Sequence, residues 1–167
     1  LRAQVGPALG ARLRRAGIYS APAQPRVALH IRRGDVTAAE KTRYSSDAWY
    51  FMTVDRIRRF LPTADVHAWS VAKEGEENSA EVVEMRRRNI TVHLNGDPLD
   101  AWAHFTGAHV FVAAKSSFSH IPAMLNPNCV IYQPFWHHPL QSWINGADTK
   151  RADYDRELEA CIGRVDE

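Results

Sequence analysis

Two adjacent arginines followed by a glycine end an apolar, β-branched run in the segment HIRRGD at residues 30–35. An arginine guanidinium at a strand end is suited to bidentate binding of a phosphate. Because successive side chains of a strand face opposite ways, His30 and Arg32 share one face and Arg33 takes the other. The segment therefore indicates a phosphate site, with a surface ion pair to Asp35 as the alternative interpretation.

Three hydroxyl side chains surround the start of a short apolar stretch in the segment KSSFS at residues 115–119. If that stretch is helical, its first turn presents N–H groups and the positive end of a helix dipole, which favour phosphate. Capping is the alternative, since serine is a preferred N-cap residue. The sequence has neither the GxGxxG pattern of dinucleotide-binding folds nor a Walker A pattern, so both of these fingerprints are absent.

A regular alternation of strands and helices must position these two segments. Apolar β-branched runs predict strands over residues 26–31, 65–71, 90–94, 109–113 and 129–132. Helical spacing and capping residues predict helices over 46–61, 79–88, 98–106, 118–125 and 153–162. Ser46 or Asp47 is the candidate N-cap of the first helix, and Asn78 is a candidate for the second. The alternation predicts a doubly wound, Rossmann-like parallel sheet of five strands in the order 3-2-1-4-5. Ligands of such sheets bind at the carboxyl ends of the strands, where both segments fall.

The chain of 167 residues suits one domain of ordinary size. Residues 1–25 are predicted to form an amphipathic helix, with apolar residues at helical spacing over 1–16, followed by a proline-containing linker. Residues 26–167 are predicted to form the Rossmann-like domain. The cellular compartment stays open at this point.

The composition argues against several partners. A net charge of +2 does not favour nucleic acid or an anionic membrane surface, and no apolar run approaches the ~20 residues of a membrane span. Cys129 and Cys161 have neither the number nor the spacing of a disulfide framework or a zinc site, so both are interpreted as packing residues. Paired histidines at His137 and His138 lack carboxylate or cysteine companions at ligand spacing, and no metal site is predicted.

The segment at residues 30–35 resembles the HxRxGD motif of the fucosyltransferase superfamily, which includes the α-1,2-, α-1,6- and protein O-fucosyltransferases. The stretch Ala108–Pro127 (AHVFVAAKSSFSHIPAMLNP) is similar to the α-1,2 family's pattern of a strand, N-S-S-F-S and a helix ending in L-N-P. The resemblance implies the C-terminal, nucleotide-binding half of a GT-B glycosyltransferase. It further implies GDP-fucose as donor, a glycan or protein as acceptor, no metal or other cofactor, and the Golgi or ER lumen for a eukaryotic enzyme.

The resemblance also implies roles for individual residues. Arg32 matches the arginine that contacts the β-phosphate of GDP-fucose, and it would stabilise the leaving group during transfer. His30 matches the histidine that borders the nucleotide. The hydroxyl and aromatic side chains around the pyrophosphate would be Ser116, Ser117, Phe118 and Ser119.

Two carboxylates complete the set that the resemblance implies. Asp100 aligns within one residue of the family's aspartate that binds guanine. The alternative interpretation is that Asp100 only stabilises the start of a helix through the helix dipole. Glu40 lies ten residues after His30, the spacing of the proposed base in the α-1,6 enzyme. A base is needed to take the proton of the acceptor hydroxyl in an inverting transfer. The alternative for Glu40 is an exposed loop residue beside Lys41.

The chain also departs from the family pattern. The second predicted strand ends in Trp69-Ser70-Val71-Ala72-Lys73, where the family often has S-D, and 167 residues leave no room for an acceptor-binding lobe. Three functions therefore stay open. They are inverting fucosyl transfer, transfer from another nucleotide sugar, and a noncatalytic module that serves as a structural subunit of a larger assembly.

Two further motifs have less specific meanings. The aromatic segment Pro134–Pro139 is interpreted either as a cover over the nucleotide or as a packed surface loop. Asn89-Ile90-Thr91 is an N-glycosylation sequon that abuts a predicted strand and whose use requires a lumenal compartment.

Overall fold

The computed structural model describes residue 11 and residues 24–163. The predicted N-terminal helix and linker, apart from residues 11 and 24–25, lie outside the described residues. The rest forms a single sheet with helices on both faces, which is the predicted α/β, Rossmann-like class.

The sheet has six strands in the order β3-β2-β1-β4-β5-β6, and every neighbouring pair is parallel. The strands are β1 (Arg26–Ile31), β2 (Asp65–Ser70), β3 (Thr91–Leu94), β4 (Val110–Ala113), β5 (Cys129–Tyr132) and β6 (Ile144–Asn145). The predicted order of the first five strands is confirmed, and the predicted total of five is wrong. The sixth strand has only two residues, too few to show the alternation from which strands are predicted.

Five helices connect or follow the strands, with bounds within one or two residues of the predictions. They are α1 (Asp47–Phe60), α2 (Ala80–Arg87), α3 (Pro98–Gly107), α4 (Ser117–Leu125) and α5 (Tyr154–Gly163). Ser46 caps α1 as predicted, because its side chain accepts from the Trp49 N–H. The predicted cap Asn78 is wrong for α2, since Ser79 occupies the N-cap position and the Asn78 side chain accepts from Arg86 at 2.8 Å.

The side chains on the two sides of β1 pack into two separate hydrophobic clusters. Val27, Leu29 and Ile31 pack into the cluster that also includes buried residues of α1 and α5. Ala28 packs into the other cluster, which includes buried residues of α3 and α4. Because side chains alternate along a strand, His30 faces the α3 and α4 side.

A disulfide joins Cys129 in β5 to Cys161 in α5, so the expectation of two plain packing cysteines is wrong. The two residues are 32 positions apart in sequence and both are buried. They meet because α5 packs against the sheet, which one pair of cysteines in a sequence does not indicate. Within the described residues, no helix is long and apolar enough to cross a membrane.

Candidate functional site

A cavity of about 510 Å³ opens at the carboxyl ends of the strands. Strand-end residues of β1 and β2, the turn after β3 and the first turns of α3 and α4 form its walls. The charged, polar and aromatic residues among those that line it are His30, Arg32, Arg33, Asp35, Arg43, Trp69, Ser70, Asn95, Ser116, Ser117, Phe118 and Trp136. The two segments singled out in the sequence, residues 30–35 and 115–119, therefore meet at one cavity.

Arg32 reaches from the end of β1 to the start of α4. Its Nη1 donates to the Ser116 hydroxyl at 3.1 Å, although 84 residues separate the two. Its Nε and Nη2 donate to the two carboxylate oxygens of Asp35 at 3.3 and 2.6 Å. The ion pair to Asp35 is thus present, and the same guanidinium faces the cavity, where phosphate binding stays a prediction. These bonds use three of its five N–H groups.

Asp35 forms an exposed ion pair with the guanidinium of Arg32, and a ligand could replace it there. Its side chain is 60% exposed, and it also accepts from Arg43 at 3.3 Å. Hydrogen bonding to Arg32 is the main cause that lowers the pKa of the Asp35 carboxyl, so it is ionised at neutral pH. An anion in the cavity would compete with the Asp35 carboxylate for Arg32 and Arg43. The carboxylate is a weak competitor, because exposed ion pairs contribute little free energy.

The guanidinium of Arg33 turns toward the start of α1 and away from that of Arg32, as the alternation along β1 predicts, although Arg33 is also among the residues that line the cavity. Its guanidinium donates to the Asp47 carboxylate at 2.6 Å and to the Ser45 carbonyl at 3.1 Å. It also lies 4.4 Å from the centre of the Tyr44 ring. Asp47 is the first residue of α1, so Arg33 ties the end of β1 to the start of that helix.

His30 lies at the inner wall of the cavity between two aromatic rings. The centroids of Phe105 and Phe118 are 5.6 and 5.3 Å from the centroid of its ring. Its Nδ1 is hydrogen-bonded to the hydroxyl of Ser119, which is fully buried. Burial, and secondarily the charge of Arg32, lower the pKa of His30 to about 3. The ring is therefore neutral at pH 7 and offers a hydrogen-bonding group, not a positive charge.

The first turn of α4 combines capping with the contact to Arg32. The Ser116 hydroxyl accepts from the Phe118 N–H at 3.3 Å while it also accepts from Arg32. Ser117 is exposed at the cavity and is hydrogen-bonded to His137 at 2.9 Å. Ser116 and Ser117 thus line the cavity, whereas Ser119 points inward to support His30.

Glu40 does not line the cavity. Its carboxylate accepts from the Thr37 N–H at 3.4 Å and from Arg43 Nη1 at 3.5 Å, and its side chain is 39% exposed. The carboxylate is thus held in the loop after β1, where it contacts Arg43, a residue that lines the cavity. Its role as a base stays a prediction.

Asp100 also stands apart from the lining side chains. It is half-buried in the first turn of α3, where Pro98 and Ala101 line the cavity. Within the described residues the cavity lining includes its neighbours but not its own side chain. Its role as the group that reads guanine stays a prediction.

Sequence reasoning missed two polar residues of the cavity, Arg43 and Asn95. Arg43 is one of many arginines in the sequence and carries no local signal. Asn95 adopts a φ of 54° after β3, and its side chain bonds the Ala72 backbone at 3.1 and 3.0 Å. Trp136 belongs to the aromatic segment for which a cover over the nucleotide was one of the two interpretations.

The aromatic segment at residues 134–139 lies against the start of α4. Trp136 is 64% exposed and stacks on Phe135 at a centroid distance of 3.9 Å. The Nε2 of His137 is within hydrogen-bonding distance of both Trp136 Nε1 and Ser117 Oγ, at 2.9 Å each. The loop is therefore held by specific contacts and places an indole at the cavity, and its role as a cover over the nucleotide stays a prediction.

A group of three histidines that sequence reasoning missed lies between β2, β3 and α3. One ring nitrogen from each of His67, His93 and His104 lies within 4.8 Å of the others. The rings are hydrogen-bonded in place: His67 contacts Asp65 at 3.0 Å and His93 at 2.8 Å, and Trp69 donates to His104 at 3.0 Å. Burial is the main cause that lowers the pKa of His93 to about 4 and that of His104 well below its usual value. Neutral imidazoles of this kind could bind a divalent ion, but Trp69 already occupies the His104 Nδ1 lone pair.

Comparisons of the chain with protein-family models, with curated proteins and with solved structures find no match. What the structure defines is the class: a Rossmann-like, all-parallel α/β fold with a cavity at the carboxyl ends of its strands.

Proposed function

We propose that this domain binds the diphosphate of GDP-fucose at the strand-end cavity and acts as the donor half of a fucosyltransferase-like enzyme. The observation that carries the proposal is the convergence of Arg32 with Ser116, the N-cap of α4, at one cavity. A guanidinium and a helix N-terminus that face the same space form a natural anion site.

The size and lining of the cavity support a ligand as large as a nucleotide. Its volume of about 510 Å³ lies within the usual range for small-molecule sites, about 300–1,000 Å³. Apolar and aromatic groups occur beside the arginines, among them Phe118 and the exposed indole of Trp136. An indole at the mouth of the cavity is suited to stacking on a nucleobase.

In the proposed reaction an acceptor hydroxyl attacks C1 of fucose from the face opposite the diphosphate. The new C1–O bond forms as the bond between C1 and the phosphate oxygen breaks, and GDP leaves with that electron pair. Arg32 and the first turn of α4 would stabilise the charge that develops on the diphosphate. The acceptor proton passes to a base, for which the resemblance implies Glu40.

A noncatalytic module is the second candidate, and the position of Glu40 favours it. Its carboxylate accepts from Arg43 and Thr37 outside the cavity lining. The end of β2 carries Ser70 and Val71 where the resembling family often has an aspartate. Such a module would keep the fold and serve as a structural subunit of a larger assembly, either with or without the ability to bind GDP.

Calorimetry with several ligands tests the proposal directly. Titration of the wild-type domain with GDP, UDP and inorganic phosphate separates recognition of the base from recognition of the diphosphate. We expect measurable GDP binding that is tighter than binding of UDP or phosphate. Equal affinity for GDP and UDP would favour a different nucleotide sugar. Absence of binding by a folded domain would overturn the proposal.

Turnover separates the two candidates once binding is established. An enzyme releases GDP from GDP-fucose slowly in water and faster with a suitable hydroxyl acceptor. A noncatalytic module binds GDP-fucose and leaves it intact, as judged by chromatography of the nucleotide. Glu40→Gln should abolish turnover and leave GDP affinity unchanged if Glu40 is the base.

A further inference from the structure

The sequence contains one N-x-S/T sequon, Asn89-Ile90-Thr91, and the structure positions it at the turn between α2 and β3. Asn89 is exposed and adopts a φ of 55°, a left-handed conformation that asparagine tolerates in turns. Ile90 is buried and anchors the turn, while Thr91 is exposed as the first residue of β3. The two residues that define the sequon, Asn89 and Thr91, are thus both exposed to solvent.

Asn95, at the other end of β3, is a natural comparison for Asn89. It is also exposed and has nearly the same φ, 54°. Its side-chain amide, however, is bonded to the backbone of Ala72 on both its oxygen and its nitrogen. The backbone of Asn89 is bonded to Arg86 and Arg58, whereas its side-chain amide makes no hydrogen bond to the described residues. The Asn89 amide therefore projects from a fixed backbone into solvent.

The disulfide gives independent information on the compartment. Cys129 and Cys161 are joined although both lie in the core, so the bond is part of the folded domain. Disulfides of this structural kind form in oxidising compartments and are rare where thiols are kept reduced. In eukaryotic cells the oxidising compartment in which such domains fold is also the one in which asparagine sequons are glycosylated.

We infer that Asn89 carries an N-linked glycan, in a domain that folds in an oxidising and glycosylating compartment. In that modification a bond forms between the Asn89 side-chain nitrogen and C1 of the first sugar. The bond from C1 to the phosphate of a polyprenyl-diphosphate donor breaks, the diphosphate leaves with the electron pair, and the amide proton passes to the transferring enzyme. Thr91 provides the hydroxyl residue that this enzyme requires at the third position of the sequon.

The position of Asn89 keeps the glycan away from the cavity. Asn89 precedes β3, whereas the cavity lies beyond the carboxyl ends of the parallel strands, at Ser70 and Asn95. A glycan at the amino end of β3 thus projects from the opposite end of the sheet. The inference does not depend on which ligand the cavity binds.

The test uses the chain secreted from eukaryotic cells behind a cleavable signal sequence. Digestion with peptide:N-glycosidase converts a glycan-bearing asparagine to aspartate, so the peptide masses report Asn89 itself. We expect Asn89 to be converted and Asn126, which starts no sequon and precedes a proline, to stay unchanged in the same digest. We also expect no free thiols when the secreted protein is denatured without reductant.

Two conservative variants serve as matched controls, because Thr91 is exposed and both replacements suit a strand. Thr91→Val removes the hydroxyl and should abolish the glycan, while Thr91→Ser keeps the hydroxyl and should retain it in part. Equal melting temperatures after deglycosylation would show that both variants fold. Secreted wild-type protein without a glycan on Asn89, or with two free thiols, would overturn the inference, as would an unchanged glycan on Thr91→Val.

Discussion

On one side of the sheet Arg32 turns toward α4 and the cavity, whereas on the other side its neighbour Arg33 turns toward the start of α1. Both side chains donate three hydrogen bonds, but their partners differ. Arg33 bonds two backbone carbonyls and the carboxylate of Asp47, which is only 16% exposed. Arg32 bonds the exposed carboxylate of Asp35 and a serine hydroxyl.

The difference between these partners separates a structural arginine from a binding one. Carbonyls and a half-buried carboxylate at a helix start cannot move away without a loss of packing, so Arg33 is committed to the fold. An exposed carboxylate and a hydroxyl can be replaced by a ligand at little cost in free energy. The same side chain, one position apart, is thus available for an anion on one side of the sheet and unavailable on the other.

The largest expected effect is that of Arg32→Ala on GDP affinity. Loss of a charge-assisted contact to a largely desolvated phosphate should weaken binding by about 2–3 kcal/mol, or roughly 30- to 150-fold. Arg32→Lys should restore part of the affinity, because an ammonium keeps the charge and loses the fork. Calorimetry with GDP measures both. The exposed Arg87, on α2, provides the matched control, and Arg87→Ala should bind as the wild type does.

Acidification should reduce stability through histidines on the α3 and α4 side. The pKa of His30 is lowered to about 3 in the folded state, from about 6.5 in the unfolded chain. The unfolded state therefore takes up a proton first, and stability falls as the pH drops from about 6.5 toward 3. By pH 5 the loss from His30 alone should be on the order of 2 kcal/mol.

Urea unfolding between pH 7 and pH 5 measures this slope. His93, whose folded pKa is about 4, should add to it in the same direction. His30→Asn removes one titrating ring and should give a shallower dependence on pH than the wild type. An identical slope for the variant would mean that His30 is not held neutral by the fold.

Arg33→Ala should mainly affect stability, in contrast to Arg32→Ala. It leaves the carboxylate of Asp47 without its guanidinium partner in a half-buried position, at an expected cost of about 1–2 kcal/mol of unfolding free energy. GDP affinity should change less than about threefold, because the guanidinium is already bonded to Asp47 and to backbone carbonyls. Comparable losses of GDP affinity in the two alanine variants would break the contrast between the two sides.

The smallest expected effect on stability is that of Ser116→Ala. The replacement removes the cap of α4 and the acceptor of Arg32 Nη1, so stability should fall by about 1 kcal/mol. GDP affinity should fall a few-fold, since Arg32 keeps its charge and loses one positioning contact. Ser116→Thr preserves both functions and should lie near the wild type in thermal unfolding and in calorimetry.

The strands and helices could be predicted because they depend on local signals, and the doubly wound pattern that their alternation indicates supplied the order of the first five strands. β-branched runs such as Val27–Ile31 and capping residues such as Ser46 are readable over a few residues, and the handedness of parallel crossovers restricts how strands can be ordered. The opposite facing of Arg32 and Arg33 follows from the same local geometry, since a strand alternates its side chains. These features need no knowledge of what lies across the fold.

Features that depend on contacts between distant residues were decided only by the tertiary structure. Cys129 and Cys161 are joined because α5 packs on the sheet, and the three histidines meet because α3 covers β2 and β3. Arg43 and Trp136 reach the cavity from loops whose paths no local pattern determines. The sequence by itself determined the class of fold and the two segments that meet at the strand ends. Burial, pairing and the partners of each charge depend on the packing of the whole chain, because long-range contacts are not encoded in any single window of residues.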